Sequence, residues 1–205
     1  MSLSRRCLVA LMLPMLAGLR AAAAAEPAAG APAVIERFYG ELLAVMKAAK
    51  RLTFDDRYNR LAPTITQAFD LALMTRIAVG PGWAQLAPEQ RQRLDAAFSR
   101  YTISVYANRF DDYGGERFEV TPTAVPNPNG VIVNSRLVKS NGEVVALNYL
   151  LRQDAGSWKV IDVYLSGSIS ELAARRSEFV AVLQRAGADG LVQMIEQRTA
   201  ALRAG

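Results

Sequence analysis

The chain has 205 residues, 51% of them hydrophobic, with 24 Lys and Arg against 19 Asp and Glu, no histidine and a single cysteine, Cys7. A chain this long can bury a core that folds as one domain without a disulfide. The missing histidines, with no cysteine beyond Cys7, remove the usual neutral-pH base, the usual zinc ligands, the thiol nucleophile and every Ser-His pair.

The first 25 residues read as an export signal: Arg5 and Arg6 give the positive start, residues 7–19 the apolar run, and residues 21–25 a small-residue cleavage region before Glu26. Pro14 and Gly18 interrupt the run, so a cleaved leader is expected rather than a membrane span. Ser4-Arg5-Arg6 before Cys7-Leu8-Val9 also fits a twin-arginine leader, and the export route stays open. Cys7 leaves with the leader. So do three arginines, Arg5, Arg6 and Arg20, and no acid, which takes the formal charge from +5 to +2. With that balance and no long Lys/Arg run, no nucleic-acid partner is expected.

Residues 26–33 form a flexible lead-in, and 34–205 a single domain. Val34, Phe38, Leu42, Val45 and Met46 recur at helical spacing, giving a first helix that fades near Arg51. Thr53-Phe54-Asp55-Asp56 is a cap with a carboxylate three residues on, so a second helix starts there and stops before Pro63. Residues 66–79, with Phe69, Leu73, Met74 and Ile77, form a third, ended by Gly80-Pro81-Gly82. Pro88 and Glu89 open the longest helix, to about Phe110, with Leu94, Ala97, Phe98, Tyr101, Val105 and Tyr106 as its apolar stripe.

From Glu116 the period changes to two. Strands are expected at 117–123, 131–138, 144–152 and 158–165, joined by turns at Asn127-Pro128-Asn129-Gly130, Asn141-Gly142 and Asp154-Ala155-Gly156. Ser168-Ile169-Ser170-Glu171 is a capping box opening a fifth helix that ends at Gly187, and a sixth spans about 189–202. The fold class is α+β: a twisted four-stranded antiparallel meander wrapped by about six helices. In residues 144–151 one parity reads Val145, Leu147, Tyr149, Leu151 and the other Val144, Ala146, Asn148, Leu150. A strand with one wet face alternates apolar and polar residues. This one does not, so the sheet must be covered on both sides or face something oily that is not protein.

Chemistry-bearing clusters are few. Asp55-Asp56 and Asp111-Asp112 read as solvated surface, with no calcium loop around either, and no glycine-rich loop carries a phosphate-binding lysine. No catalytic residue, metal site or cofactor follows. Asp162 is the one carboxylate to weigh as a base, because it lies inside a strand between Ile161 and Val163, where desolvation raises its pKa. The plainer reading pairs it with an arginine such as Arg176.

Trp158-Lys159-Val160-Ile161-Asp162-Val163, then Gly167 and Ser170, then Arg176 and Phe179 resemble the signature of the MlaC family of periplasmic lipid carriers, the toluene-tolerance proteins. Phe69-Asp70, Met74, Gly80 and Trp83, with Glu89-Gln90-Arg91 and Phe98, fit the same family, and the resemblance covers about residues 34–197. The family's Gly-Val-Ser is stretched here to Gly167-Ser168-Ile169-Ser170, and its Asn-Tyr before the arginine is Ala174-Arg175. The runs 69–83, 113–118, 169–172 and 175–179 are more similar to the hopanoid-biosynthesis-associated branch, HpnM.

The resemblance implies a sheet and helices enclosing a deep apolar pocket for lipid tails, with the head group at the mouth. It further implies a monomeric, soluble periplasmic carrier whose cargo, a hopanoid or phospholipid, passes between an inner-membrane lipid transporter and an outer-membrane lipoprotein complex without covalent chemistry. The expected lining is Phe69, Met74 and Ile77 from the third helix, Phe98, Tyr101, Val105 and Tyr106 from the longest, Val133, Leu147, Tyr149, Val163 and Leu165 from the sheet, and Phe179. Tyr106, Tyr149 and Tyr164 offer hydroxyls at a polar boundary, and Arg109, Arg175 and Arg176 are the head-group candidates. Two other readings stay open: an enzyme with Asp162 as base and Tyr149 as proton donor, and an envelope interaction protein with a filled core.

Overall fold

In a computed structural model of the chain, residues 30–205 are described; the expected leader and residues 26–29 of the lead-in lie outside them. Helix α1 (Gly30–Ala48) begins ahead of the expected Val34, because Ala31 is fully buried and Pro32 suits a first turn. Helix α2 (Phe54–Ala68) opens as its sequence requires: Asp56 N donates to the Thr53 hydroxyl at 3.1 Å, and Thr53 N donates to the Asp56 carboxylate at 3.0 Å.

Helix α2 does not stop before Pro63, which lies inside it. Proline removes one backbone donor, but Leu61, Ile65 and Ala68 keep one face buried on both sides of it, and that burial carries the helix through. The break falls instead at Phe69-Asp70. Phe69 forms a parallel bridge with Val160, and Asp70 N donates to the Val160 carbonyl at 2.9 Å. The Asp70 carboxylate then accepts from Leu73 N at 2.9 Å and caps α3 (Leu71–Val79), so the expected helix 66–79 is cut in two. A 3₁₀ turn (Gly80–Gln85) leads into α4 (Pro88–Arg109).

The sheet has seven strands rather than the expected four: β1 (Arg117–Val120), β2 (Val125–Asn127), β3 (Gly130–Val133), β4 (Ser135–Val138), β5 (Val144–Asp154), β6 (Ser157–Leu165) and β7 (Ile169–Ser170). The reason is local. β3 and β4 pair with the same edge of the long β5 in one continuous register, so Asn134 interrupts what the pattern reads as a single strand. β1 pairs with β4 and β2 with β3, with an irregular step between them. β6 takes the other edge of β5 through a two-residue turn with positive φ at both Ala155 and Gly156, and β7 adds to β6. At the start of β3, Gly130 has φ 151°, and a Cβ there would stand 2.0 Å from the Leu151 carbonyl oxygen, so only glycine fits.

Helix α5 (Glu171–Ala204) is interrupted at Gly187, whose φ of 67° is not helical, so the expected fifth and sixth helices meet end to end there and, taken together, leave five α-helices among the described residues rather than six. The helices pack on the sheet face that carries Val133, Leu147, Tyr149, Leu151, Val160 and Val163. At its centre Phe38 meets Phe69 (5.2 Å), Tyr106 (5.3 Å) and Tyr149 (6.3 Å) edge-on. On the other parity Leu150 and Ile161 are also buried, while Val144 at the strand's start is 52% exposed. The doubly apolar reading thus describes the middle of β5 and not its end. Among the described residues no helix is long and apolar enough to cross a membrane.

Candidate functional site

Helix α4 is apolar on more than one side, and that is what leaves a hollow beside it. Leu94, Ala97, Ile103, Ser104 and Ala107 are sealed in packing. Tyr101, Thr102, Val105 and Tyr106, in the same helix, stay partly accessible because they face empty space. That space is a cavity of about 660 Å³, counting its open mouth, walled by Phe69, Met74, Phe98, Tyr101, Val105, Tyr106, Leu147, Tyr149, Val163 and Leu165. Its largely apolar wall with a few polar groups is that of a small-molecule site, and its enclosed part holds only about 80 Å³.

Three charged side chains, Arg109, Glu171 and Arg175, line the cavity. Arg175 donates to the Tyr101 hydroxyl at 2.7 Å, lies with its guanidinium 4.9 Å from that ring, and pairs with Glu171 at 3.0 Å. At 18% and 24% side-chain exposure the pair is more than a surface contact. Arg109, one turn beyond Tyr106, lines the cavity and makes no ion pair among the described residues. Arg109, Glu171 and Arg175 together leave one net positive charge at the rim.

Three expected wall residues lie elsewhere. Ile77 is half-buried against the core, Val133 is fully buried in β3, and Phe179 packs edge-on to Phe98 at 6.3 Å, behind the wall rather than in it. Arg176 is also off the rim: its side chain lies against Gly80, where a Cβ would come within 2.8 Å of Nε. Conversely, Thr102, Phe110, Glu171 and Leu172 line the cavity without having been expected. Thr102 lies within the helical spacing of the α4 stripe but is polar, and Phe110 follows the last residue of α4. Glu171 and Leu172 read only as the first turn of a helix, and nothing in that spacing reveals what the turn will cover.

Asp162 does not pair with Arg176. It accepts from Val163 N at 2.8 Å, from the Ser170 hydroxyl at 2.5 Å and from Leu172 N at 3.3 Å, so it holds the first turn of α5. Burial raises its pKa while those three donors oppose the rise. In the β5–β6 register Asp162 stands opposite Leu150 and Tyr149 opposite Val163. Side chains alternate along a strand, so the two point to different faces and cannot act as one acid-base pair. Tyr164 shares the Asp162 face and is not in the cavity wall. Among the described residues no group of three or more His, Cys, Asp or Glu gathers to hold a metal.

The MlaC protein family model matches residues 36–197. The chain belongs to the MlaC family. It is 28% identical over 163 residues, 76% of this chain and 74% of the other, to toluene tolerance protein ttg2D of Pseudomonas putida. A phospholipid-binding protein from Ralstonia solanacearum, solved in complex with a phospholipid, superposes with a TM-score of 0.73 at 28% identity over 84% of this chain and 98% of that one. In this MlaC family member the signature strand 158–163 contributes Val163 to the cavity wall and Asp162 to the helix that closes it.

Proposed function

We propose that this protein is a soluble periplasmic carrier that takes up the hydrocarbon of a hopanoid or a phospholipid in the cavity and moves it between an inner-membrane lipid transporter and an outer-membrane lipoprotein complex. Residues 1–25 are its leader and 34–205 its lipid-binding domain, with no bond made or broken during transfer. One observation carries this reading: an apolar cavity with a positively charged rim, in a member of the MlaC family. Each methylene moved from water to such a wall is worth about 0.8 kcal/mol. A lipid with on the order of 30 buried carbons therefore stays in its membrane unless a protein offers an equivalent surface. The phospholipid held by the Ralstonia solanacearum relative supports a lipid cargo, and the HpnM-like runs favour a hopanoid. Arg109 and Arg175 would meet the head group.

The test is native mass spectrometry of the exported protein purified without detergent, followed by lipid extraction and by transfer between donor and acceptor vesicles. A released lipid mass with transfer that depends on the protein is expected. An empty extract, or turnover of a substrate abolished by Asp162→Asn, would overturn it.

A further inference from the structure

Arg175 is engaged at both terminal nitrogens, and the two groups it holds each have bonding capacity to spare. Nη1 donates to the Tyr101 hydroxyl at 2.7 Å and Nη2 to Glu171 Oε2 at 3.0 Å, with the guanidinium 4.9 Å from the Tyr101 ring centre. Arginine carries donors and no acceptor, so Tyr101 accepts in this bond and keeps its own phenolic proton. Among the described residues that proton goes to no other group, and Glu171 Oε1 takes no donor. Tyr101 and Glu171 both line the cavity. One O–H donor and one carboxylate acceptor are thus fastened side by side to a single guanidinium.

That combination matches an alcohol. A hydroxyl both accepts and donates, so one hydroxyl, or two on adjacent carbons, answers Tyr101 and Glu171 together. A phosphate or carboxylate offers acceptors only: it takes the Tyr101 proton but meets Glu171 with like charge, while the charge of Arg175 is already committed to Glu171. The uncompensated charge, Arg109, is exposed and stands two turns beyond Tyr101 along α4, about 12 Å away. That exceeds the screening length of about 8 Å at physiological salt, so Arg109 does not turn this part of the wall into an anion site.

We infer that Tyr101 and Glu171, positioned by Arg175, form a subsite for an uncharged, hydroxyl-bearing polar group of the cargo, which selects hydroxylated lipids over phosphate esters at this point of the wall. The inference rests on the lipid-carrier reading and deepens it by naming the head-group chemistry. Arg175 meets such a group through the two partners it holds.

The test uses the delipidated exported protein and displacement of an anthroyloxy-labelled stearic acid by three lipids of one chain length: monooleoylglycerol, methyl oleate and oleoyl lysophosphatidic acid. Monooleoylglycerol should displace the reporter at a roughly five-fold lower concentration than methyl oleate, the effect of about one hydrogen bond, and at a lower concentration than the phosphate ester. Tyr101→Phe should bring the ratio of monooleoylglycerol to methyl oleate toward one. Glu171→Gln releases the Arg175 charge and should improve lysophosphatidic acid relative to methyl oleate by roughly ten-fold, the effect of a hydrogen bond to a charged group. Ratios measured within one protein cancel any general loss of binding that a wall substitution causes, and circular dichroism verifies each fold. Arg203→Gln, in an exposed ion pair with Asp55 outside the cavity wall, is the control and should keep the wild-type ratios. A wild-type protein that does not favour monooleoylglycerol over the other two lipids, or ratios that both Tyr101→Phe and Glu171→Gln leave in place, would overturn the subsite alone. If no lipid displaces the reporter, the carrier reading falls and the subsite falls with it.

Discussion

Val105→Trp tests the hollow directly. Val105 faces the cavity from the last two turns of α4, between Tyr101 and Arg109, and is only half-buried because its outer side meets space rather than protein. Tryptophan adds about seven heavy atoms there, and each methylene of cargo they displace returns about 0.8 kcal/mol of hydrophobic transfer to water. Displacing as many methylenes weakens binding by on the order of 5 kcal/mol. If the wall yields and only half are displaced, the loss is still roughly 100-fold in affinity. The readout is bound-lipid stoichiometry by native mass spectrometry together with vesicle-to-vesicle transfer, with circular dichroism to verify the fold. Val125→Trp, on β2 where the side chain is 47% exposed and outside the cavity, serves as control and should leave both readouts at the wild-type level. A folded Val105→Trp protein that keeps the wild-type lipid load would refute the assignment of this space to the cargo.

Asp162→Ala removes the acceptor for the Ser170 hydroxyl and for the backbone N–H of Val163 and Leu172, and should destabilise the protein by about 2–4 kcal/mol; an unchanged urea midpoint would show that α5 is held by other means. Asp95 behaves in the opposite sense: burial raises its carboxyl above the ordinary 3.8, and its Oδ1 has no hydrogen-bond partner among the described residues. A raised carboxylate gives stability that is complete below pH 3.8 and fades as the pH climbs through the folded-state value, since the folded form holds the proton longer. Asp95→Asn should therefore melt at a higher temperature than wild type at pH 7 and converge with it near pH 3, and equal melting temperatures at pH 7 would contradict this.

Much of this architecture is legible in the chain because local chemistry and tertiary packing agree. Thr53 and Asp56 cap the same helix that their spacing specifies, whereas α5 is capped by Ser170, through Ala173 N at 2.9 Å, and not by Ser168 of the expected Ser168–Glu171 box, because Ile169 and Ser170 pair as a strand with β6. The turn at Ala155-Gly156 falls where the sequence places it. Disagreements arise where a distant partner outweighs a local signal. Pro63 is a helix breaker whose effect is overcome by buried residues before and after it, whereas Phe69-Asp70, which carries no breaker, is opened by its bond to Val160 some ninety residues away. The cavity divides in the same manner. The α4 stripe yields Tyr101, Val105 and Tyr106, because helical spacing places them on one face. Phe179 and Ile77 satisfy the same pattern and fill the core, since periodicity marks which face turns inward and not whether another side chain is there to meet it.

The Asp162 anchor determines how the mouth responds to its medium. Glu171, Leu172 and Arg175 reach the cavity from the first turns of α5, and that end is fastened to β6 by one amide and a hydroxyl instead of by a guanidinium. Ion pairs at the surface, such as Arg203 with Asp55 or Arg93 with Asp189, weaken as dissolved salt screens them. Short hydrogen bonds to a half-buried carboxylate are screened far less. Across wide swings in ionic strength, then, the opening keeps its outline while the outer charge network loosens around it.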